Sequence, residues 1–294
     1  MLQNQPKSRW RRPCWLAPLA ALASAGCAAP DAGPALRLRL AGAQIATELV
    51  ESWLSAAPRG RFRTERVQPV YLSQHGFDHL RDRACEVACV DRRVTPRELS
   101  EFAGEPIEGQ RIAFYGFGLY VNRQNPLDSI FAGHLKLLFQ RTLVDWNELG
   151  AGDGPIRLCG PQKPTRGGTV LMRQARILVA SPTWEAMDSD AEIIAAVAAD
   201  PLALGFAGLG RDGGDVRYVG LRMQRSGAPV LPSLEAIESE RYGLAKVLYV
   251  YFRSPATEAC QAMIDFLLSD AGRRAIESTN VWPVDPRRAR LSRP

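Results

Sequence analysis

The chain has 294 residues, 46% hydrophobic and 23% charged, a length that buries a sizeable core and a balance that excludes a disordered, highly charged chain. Its net charge is +6 and its pI about 9.2, but four of the 37 Lys and Arg and none of the 31 Asp and Glu precede Cys27, which leaves 33 against 31, or +2. Most of the excess sits in the first residues and at Arg287, Arg288, Arg290 and Arg293, with no basic stripe interleaved with aromatics, so nucleic acid is not an expected partner.

In chain order, Lys7, Arg9, Arg11 and Arg12 form a basic start, and residues 14–25 are an apolar run without an acidic residue. This is the anatomy of a signal peptide, here residues 1–26. The run is shorter than the ~20 apolar residues a membrane-spanning helix needs, and no other segment is long enough, so no transmembrane helix is expected after processing. It closes in Ser24-Ala25-Gly26-Cys27, which resembles the lipobox of bacterial lipoproteins and implies lipidation of Cys27. Ordinary cleavage after Ala29 is the alternative. Either reading places the protein in the periplasm or cell envelope, touching the membrane through a lipid anchor only.

Residues 35–40 (ALRLRL) alternate, Gly42 breaks the run, and Ile45, Leu49, Val50 and Trp53 recur at helical spacing, which predicts a strand, a tight turn and a helix over 45–54. A strand over 66–72, a short helix over 76–83 and a third strand over 85–90 follow, with a charged run at 91–101. Residues 111–121 (RIAFYGFGLYV) are apolar and aromatic, broken by Gly116 and Gly118, where the chain can bend between two lobes; Asn125-Pro126 then turns it. Two short helical segments are expected within 127–150, a strand over 156–159, a Gly/Pro-rich loop over 160–168 and a helix from about Thr169. A helix over 190–199, strands over 204–209, 217–221 and 244–252, and one long helix over 257–277 complete the pattern. Strands alternating with helices indicate a parallel, helix-covered sheet.

Cys85, Cys89, Cys159 and Cys260 remain after Cys14 and Cys27, an even number that permits disulfides in an oxidising compartment. On one strand Cys85 and Cys89 stand ~13 Å apart at ~3.3 Å per residue, beyond disulfide reach. A bridge therefore joins one of them to Cys159 or Cys260, or all four are buried free thiols. His75 and His79 are four apart, with Cys85 and Cys89 nearby, but zinc needs four converging ligands; surface histidines beside a buried thiol are the simpler reading, and neither metal nor cofactor is expected. No histidine lies in a nucleophile–base motif, and there is no G-x-S-x-G, H-E-x-x-H or P-loop, so an enzyme is not expected.

An ordered series of segments carries a family resemblance. Residues 41–54 (AGAQIATELVESWL) are similar to the first ligand loop and helix of PstS-like phosphate-binding proteins, and 73–92 (SQHGFDHLRDRACEVACVDR) to the second loop, helix and strand. Residues 112–130 resemble the crossover strand, LLFQRTLVDWNELG at 137–150 a family helix and turn, and TRGGT at 165–169 the anion loop at a helix start. AEIIAAVAADPLALGFAGLG at 191–210 and the closing segment 242–284 are similar to the rest of the family's pattern. The resemblance implies an α/β, two-lobed type II periplasmic-binding-protein fold, with two helix-covered mixed sheets joined by two crossover strands. Lobe 1 takes 35–115 plus 217–294 and lobe 2 takes 116–216. It implies an exported solute-binding lipoprotein that holds a small anionic or polar ligand for an ABC transporter permease or an envelope sensor. A pseudo-binding protein with decayed ligand loops, acting as an envelope interaction or structural lipoprotein, is the alternative.

Such a cleft holds an anion with backbone N–H groups at helix starts, hydroxyl donors and one or two cations, because a buried charge left unpaired is costly. The candidate contacts are Ala43, Gln44 and Ile45; Gln74 and His75; Asp91 and Arg92; and Arg166, Gly167, Gly168 and Thr169. Where the family places serine or threonine, this chain has Ala43, Gln44 and Ile45, then Val90 or Asp91, then Gly167, so weak phosphate binding is expected. Arg166 can grip an oxyanion bidentately, and Gln44 and Gln74 can donate amide hydrogens. Asp91-Arg92 reads equally as a surface ion pair, worth little in stability.

Overall fold

The computed structural model describes residues 35–102, 104–162, 183–279 and 281–291. The alternating segment forms β1 (Leu36–Gly42), and α1 (Gln44–Ser55) follows after Ala43. Leu49, Val50, Trp53 and Leu54 recur on one face of α1 and are all buried, each worth ~1.5–3 kcal/mol as a fully buried large side chain. The second strand, β2, is Phe62–Arg66 and not 66–72. Pro69 within the expected span has no N–H to give a ladder, and the strand that forms is a polar edge strand beside β1. Next come α2 (Ser73–Arg81), β3 (Val87–Val90) and α3 (Pro96–Ser100), the last opened by a Thr95/Glu98 capping box.

The apolar stretch divides into β4 (Ile107–Gly116) and β5 (Gly118–Asn122). Then follow β6 (Ser129–Phe131), α4 (Ala132–Phe139), a 3-10 turn (Trp146–Leu149), β7 (Arg157–Pro161), β8 (Glu185–Met187), α5 (Asp190–Ala199) and β9 (Ala203–Ala207). Val219 separates β10 (Val216–Tyr218) from β11 (Gly220–Arg222) where one strand was expected. After α6 (Leu234–Glu238) and β12 (Ala245–Arg253), the expected long helix is two, α7 (Glu258–Leu268) and α8 (Asp270–Glu277). Ser269 leaves helical geometry at ψ 165° and its side chain caps Gly272 N–H, which starts a new helix. Strand β13 (Trp282–Pro283) and α9 (Pro286–Ala289) close the described chain. The loop expected at 160–168 falls outside the described residues from 163 on, and the helix expected from Thr169 does so entirely.

The strands form two principal mixed sheets. The larger has the order β13-β4-β12-β3-β1-β2 and the smaller β10-β5-β9-β7-β8, while β11 pairs with β6 alone. Strand β12 is antiparallel to both its neighbours, β3 and β4. One face of the larger sheet packs on α1, α7 and α8 through Trp53, Met263, Leu267 and Ile276; Trp53 Nε1 donates to Thr279 Oγ1 at 2.9 Å. The other face packs on α2 through Phe77, set edge-on to Tyr251. Within the smaller sheet's core, Phe117, Phe139 and Trp184 all stand edge-on to Phe206.

The chain passes between the sheets at Gly116, whose φ of +146° favours glycine and whose Cβ would lie 2.3 Å from Leu244 O. Phe117, the one residue between β4 and β5, donates its N–H to Leu244 O at 2.9 Å and accepts Tyr242 OH at 3.0 Å. The outgoing connection is thus tied to the segment that returns to β12. Strand β10 still belongs to the smaller sheet through Tyr218. Cys85, Cys89, Cys159 and Cys260 are buried free thiols, and burial pushes Cys85 up to about 12 and Cys159 up to about 11.

Candidate functional site

The carboxyl-terminal ends of the neighbouring strands β1 and β3 in the larger sheet form an edge along which the starts of α1 and α2 gather. Gly42, at φ +130°, lies so close to β3 that a Cβ would come within 2.0 Å of Cys89 O, and a Cβ on Gly76 of α2 would lie 2.9 Å from Gly42 Cα. Ala43 N–H donates to Cys89 O at 2.9 Å. Only glycine permits backbones to pack this closely at such a φ. Helices α1 and α2 begin on Ala43 and Leu72 with neither a side-chain cap nor an acidic residue in the first turn. Side chains cap α3, α5, α6, α7 and α8. The first-turn amides of α1 and α2 therefore keep the partial positive charge that favours an anion.

Asp91, just after β3, is the centre of a polar cluster drawn from four segments. Ser73 Oγ donates to Asp91 Oδ1 at 2.6 Å and accepts Asp91 N–H at 3.0 Å. Tyr115 OH of β4 donates to Oδ2 at 3.3 Å, and Lys246 Nζ of β12 does so at 3.1 Å. The Asp91 and Lys246 side chains are 17% and 31% exposed. Burial by itself raises the Asp91 pKa, but the Lys246 charge and the hydrogen bonds from Ser73, Lys246 and Tyr115 outweigh it and hold the carboxyl below the usual range. A cavity of about 240 Å³ adjoins, lined in part by Asp91, Arg93, Lys246 and Tyr249.

The expected contacts fall on this edge unequally. Ala43 is buried and Ile45 half-buried at the start of α1, but Gln44 is exposed and spends its amide on Glu48 Oε1 at 3.1 Å, one turn along its own helix. Gln74 is exposed. His75 is half-buried, edge-on to Tyr71, with Nδ1 buried and without a hydrogen-bond partner. Asp91 and Arg92 pair with Lys246 and Glu98, so the surface-pair reading is corrected. Arg92 forks onto the two Glu98 oxygens at 2.8 and 2.6 Å, lies over the Phe77 ring, and holds Glu98 down to about 2. Its guanidinium is committed within the chain. Arg166, Gly167, Gly168 and Thr169, like Cys27, lie outside the described residues. Ser73 opens the second expected ligand loop, whereas Tyr115 and Lys246 were not among the expected contacts. The signal for Lys246 is a cation at the second position of a strand, AKVLYVYFR, that is otherwise uncharged until Arg253 at its end.

Segments of the two sheets face each other elsewhere. The loop after β9 is clamped by Tyr120 OH donating to Gly208 O at 2.6 Å, Gly210 N–H donating to Tyr218 OH at 2.7 Å, and Gly208 N–H donating to Asp190 Oδ2 at 3.1 Å. Burial raises the Asp190 pKa. With Glu277 and Trp282 this loop lines an open cavity of about 200 Å³. Among the described residues no group of three or more His, Cys, Asp or Glu could hold a metal ion, and no helix is long and apolar enough to cross a membrane.

Residues 29–271 match the family model described as a PBP superfamily domain. No curated protein matches the chain. Among solved structures, the chain is similar to a possible phosphate binding protein from Planctomyces limnophilus, with TM-score 0.61, 20% identity, and 85% of this chain and 93% of that one covered. It also resembles a conserved functionally unknown protein from Vibrio parahaemolyticus, with TM-score 0.55, 9% identity and coverage of 83% and 99%. PstS from Borrelia burgdorferi is similar as well, with TM-score 0.52, 13% identity and coverage of 84% and 98%. The chain belongs to the PBP superfamily, and its fold is the α/β fold of PstS-like periplasmic binding proteins.

Proposed function

We propose that the protein is an exported solute-binding protein, and not an enzyme, that holds a small oxyanion between two lobes, 35–115 plus 217–294 and 116–216. Lipidated Cys27 anchors it in the periplasm or cell envelope, where it delivers the ligand to an ABC transporter permease or a sensor. The observation that carries this reading is the Asp91 cluster, in which Ser73, Tyr115 and Lys246 converge beside two helix starts that have no side-chain cap. Lys246 offsets the Asp91 charge, so the two helix starts leave the edge net positive toward a ligand. Ala43, Ile45 and His75 adjoin them, and the sequence assigns the opposing contacts to Arg166, Gly167, Gly168 and Thr169.

Phosphate is bound weakly. Each charge-assisted hydrogen bond is worth ~1.5–3 kcal/mol, and ~1.4 kcal/mol is tenfold in affinity. The loss of two hydroxyl donors at Ala43 and Gly167 therefore costs about a hundredfold or more. Calorimetric titration with phosphate, sulfate and an organic phosphate is expected to give weak binding that Arg166→Ala abolishes without moving the melting temperature. Submicromolar phosphate binding that survives Arg166→Ala overturns both the weak-phosphate claim and the placement of the site.

A further inference from the structure

We infer that a second site, for an amphipathic organic anion, lies at the β13 edge of the larger sheet. Phe114 and Tyr115 are neighbours on β4 and so point to opposite faces. Tyr115 reaches Asp91, whereas Phe114 forms part of the wall of a separate cavity of about 770 Å³. That volume lies within the range of small-molecule sites, ~300–1,000 Å³. Trp282 of β13, 44% exposed, stands 6.0 Å from the Phe114 ring with the planes at 60°, and Leu234 and Ile237 of α6 add apolar wall.

Three guanidinium groups border this apolar surface: half-buried Arg273 of α8, and exposed Arg287 and Arg288 of α9. Arg273 Nη1 donates to Val284 O at 3.4 Å, and none of the three forms an ion pair with a described residue. The two carboxylates of the lining serve helix starts. Asp285 accepts Arg287 N–H at the start of α9, and Asp270 sits in the first turn of α8. The unpaired cations fit a carboxylate, sulfonate or phosphate ester, which a guanidinium grips bidentately. The exposed indole and the Phe114 ring fit an apolar or aromatic body. A bare inorganic oxyanion would leave both the volume and the aromatic wall unused.

The test uses the full chain and 8-anilinonaphthalene-1-sulfonate, followed by its emission and by calorimetry. One equivalent is expected to bind saturably. Trp282→Ala and Arg273→Gln are each expected to weaken binding about tenfold, a change of ~1.4 kcal/mol. Lys246→Gln and added inorganic phosphate are expected to leave it unchanged. Where Trp282→Ala lowers the melting temperature strongly, Arg287→Gln with Arg288→Gln, both on exposed side chains, carries the test and is expected to weaken binding severalfold. Non-saturable binding, or binding indifferent to these substitutions, overturns the inference. So does displacement by inorganic phosphate or loss with Lys246→Gln, which would assign the probe to the Asp91 cluster.

Discussion

Removing the Lys246 ammonium isolates the contribution of the Asp91 cluster. At 3.1 Å and an effective dielectric of about 20, the pair attracts by ~5 kcal/mol. Water that reaches the partner left behind in each single variant lowers what a cycle reads to ~1–3 kcal/mol of coupling. A double-mutant cycle with Lys246→Met and Asp91→Asn, read by urea unfolding with tryptophan fluorescence, should return this coupling at pH 7. Because the folded Asp91 pKa lies below the ordinary value, the stability is full above the unfolded-state value of about 3.9. It is lost as pH falls through the folded value. The coupling should therefore be flat from neutral pH to about 5 and shrink below about 4. Single effects that add within ~0.5 kcal/mol at pH 7 would refute the pairing, as would a coupling undiminished at pH 2.

Two further substitutions probe the site's frame and the anchor. Gly42→Ala places a Cβ 2.0 Å from Cys89 O at a φ of +130°, and a loss of ~3 kcal/mol or more is expected from the urea midpoint; a loss under ~0.5 kcal/mol would contradict the close approach. Cys27→Ser should move the protein from the membrane to the soluble fraction, and unchanged membrane association would rule out the lipid anchor.

The regular elements were legible where a single period dominates. The alternation of β1 and the spacing of α1 gave both within two residues, and 190–199 matches α5. Strand β2, FRTER, has only Phe62 as an apolar residue on its half-buried face, which Thr64 completes, so the more apolar residues after it carry the stronger strand signal. The break at Ser269 was hidden because an apolar stripe runs through it, from Phe266 and Leu267 to Ile276. Of the site, the helix starts and Asp91 were legible from loop positions and resemblance. Lys246 lies 155 residues from Asp91 in a strand whose pattern reads as core, and only strand order brings the two together. The pairing of Arg92 with Glu98 follows a capping-box turn that charge counting cannot see.

The place of β12 at the middle of the larger sheet makes that sheet depend on a late segment of the chain. Strands β1 to β4 are complete by residue 116, yet β3 and β4 have no partner between them until Ala245–Arg253 arrives. The smaller sheet draws all its strands from within Gly118–Tyr218 and needs nothing from β12. A chain cut short before Ala245 therefore leaves one edge of β3 bare, strips β4 of both its partners, β12 and β13, and lacks the Lys246 of the Asp91 cluster. Open edges of this kind invite pairing with other chains.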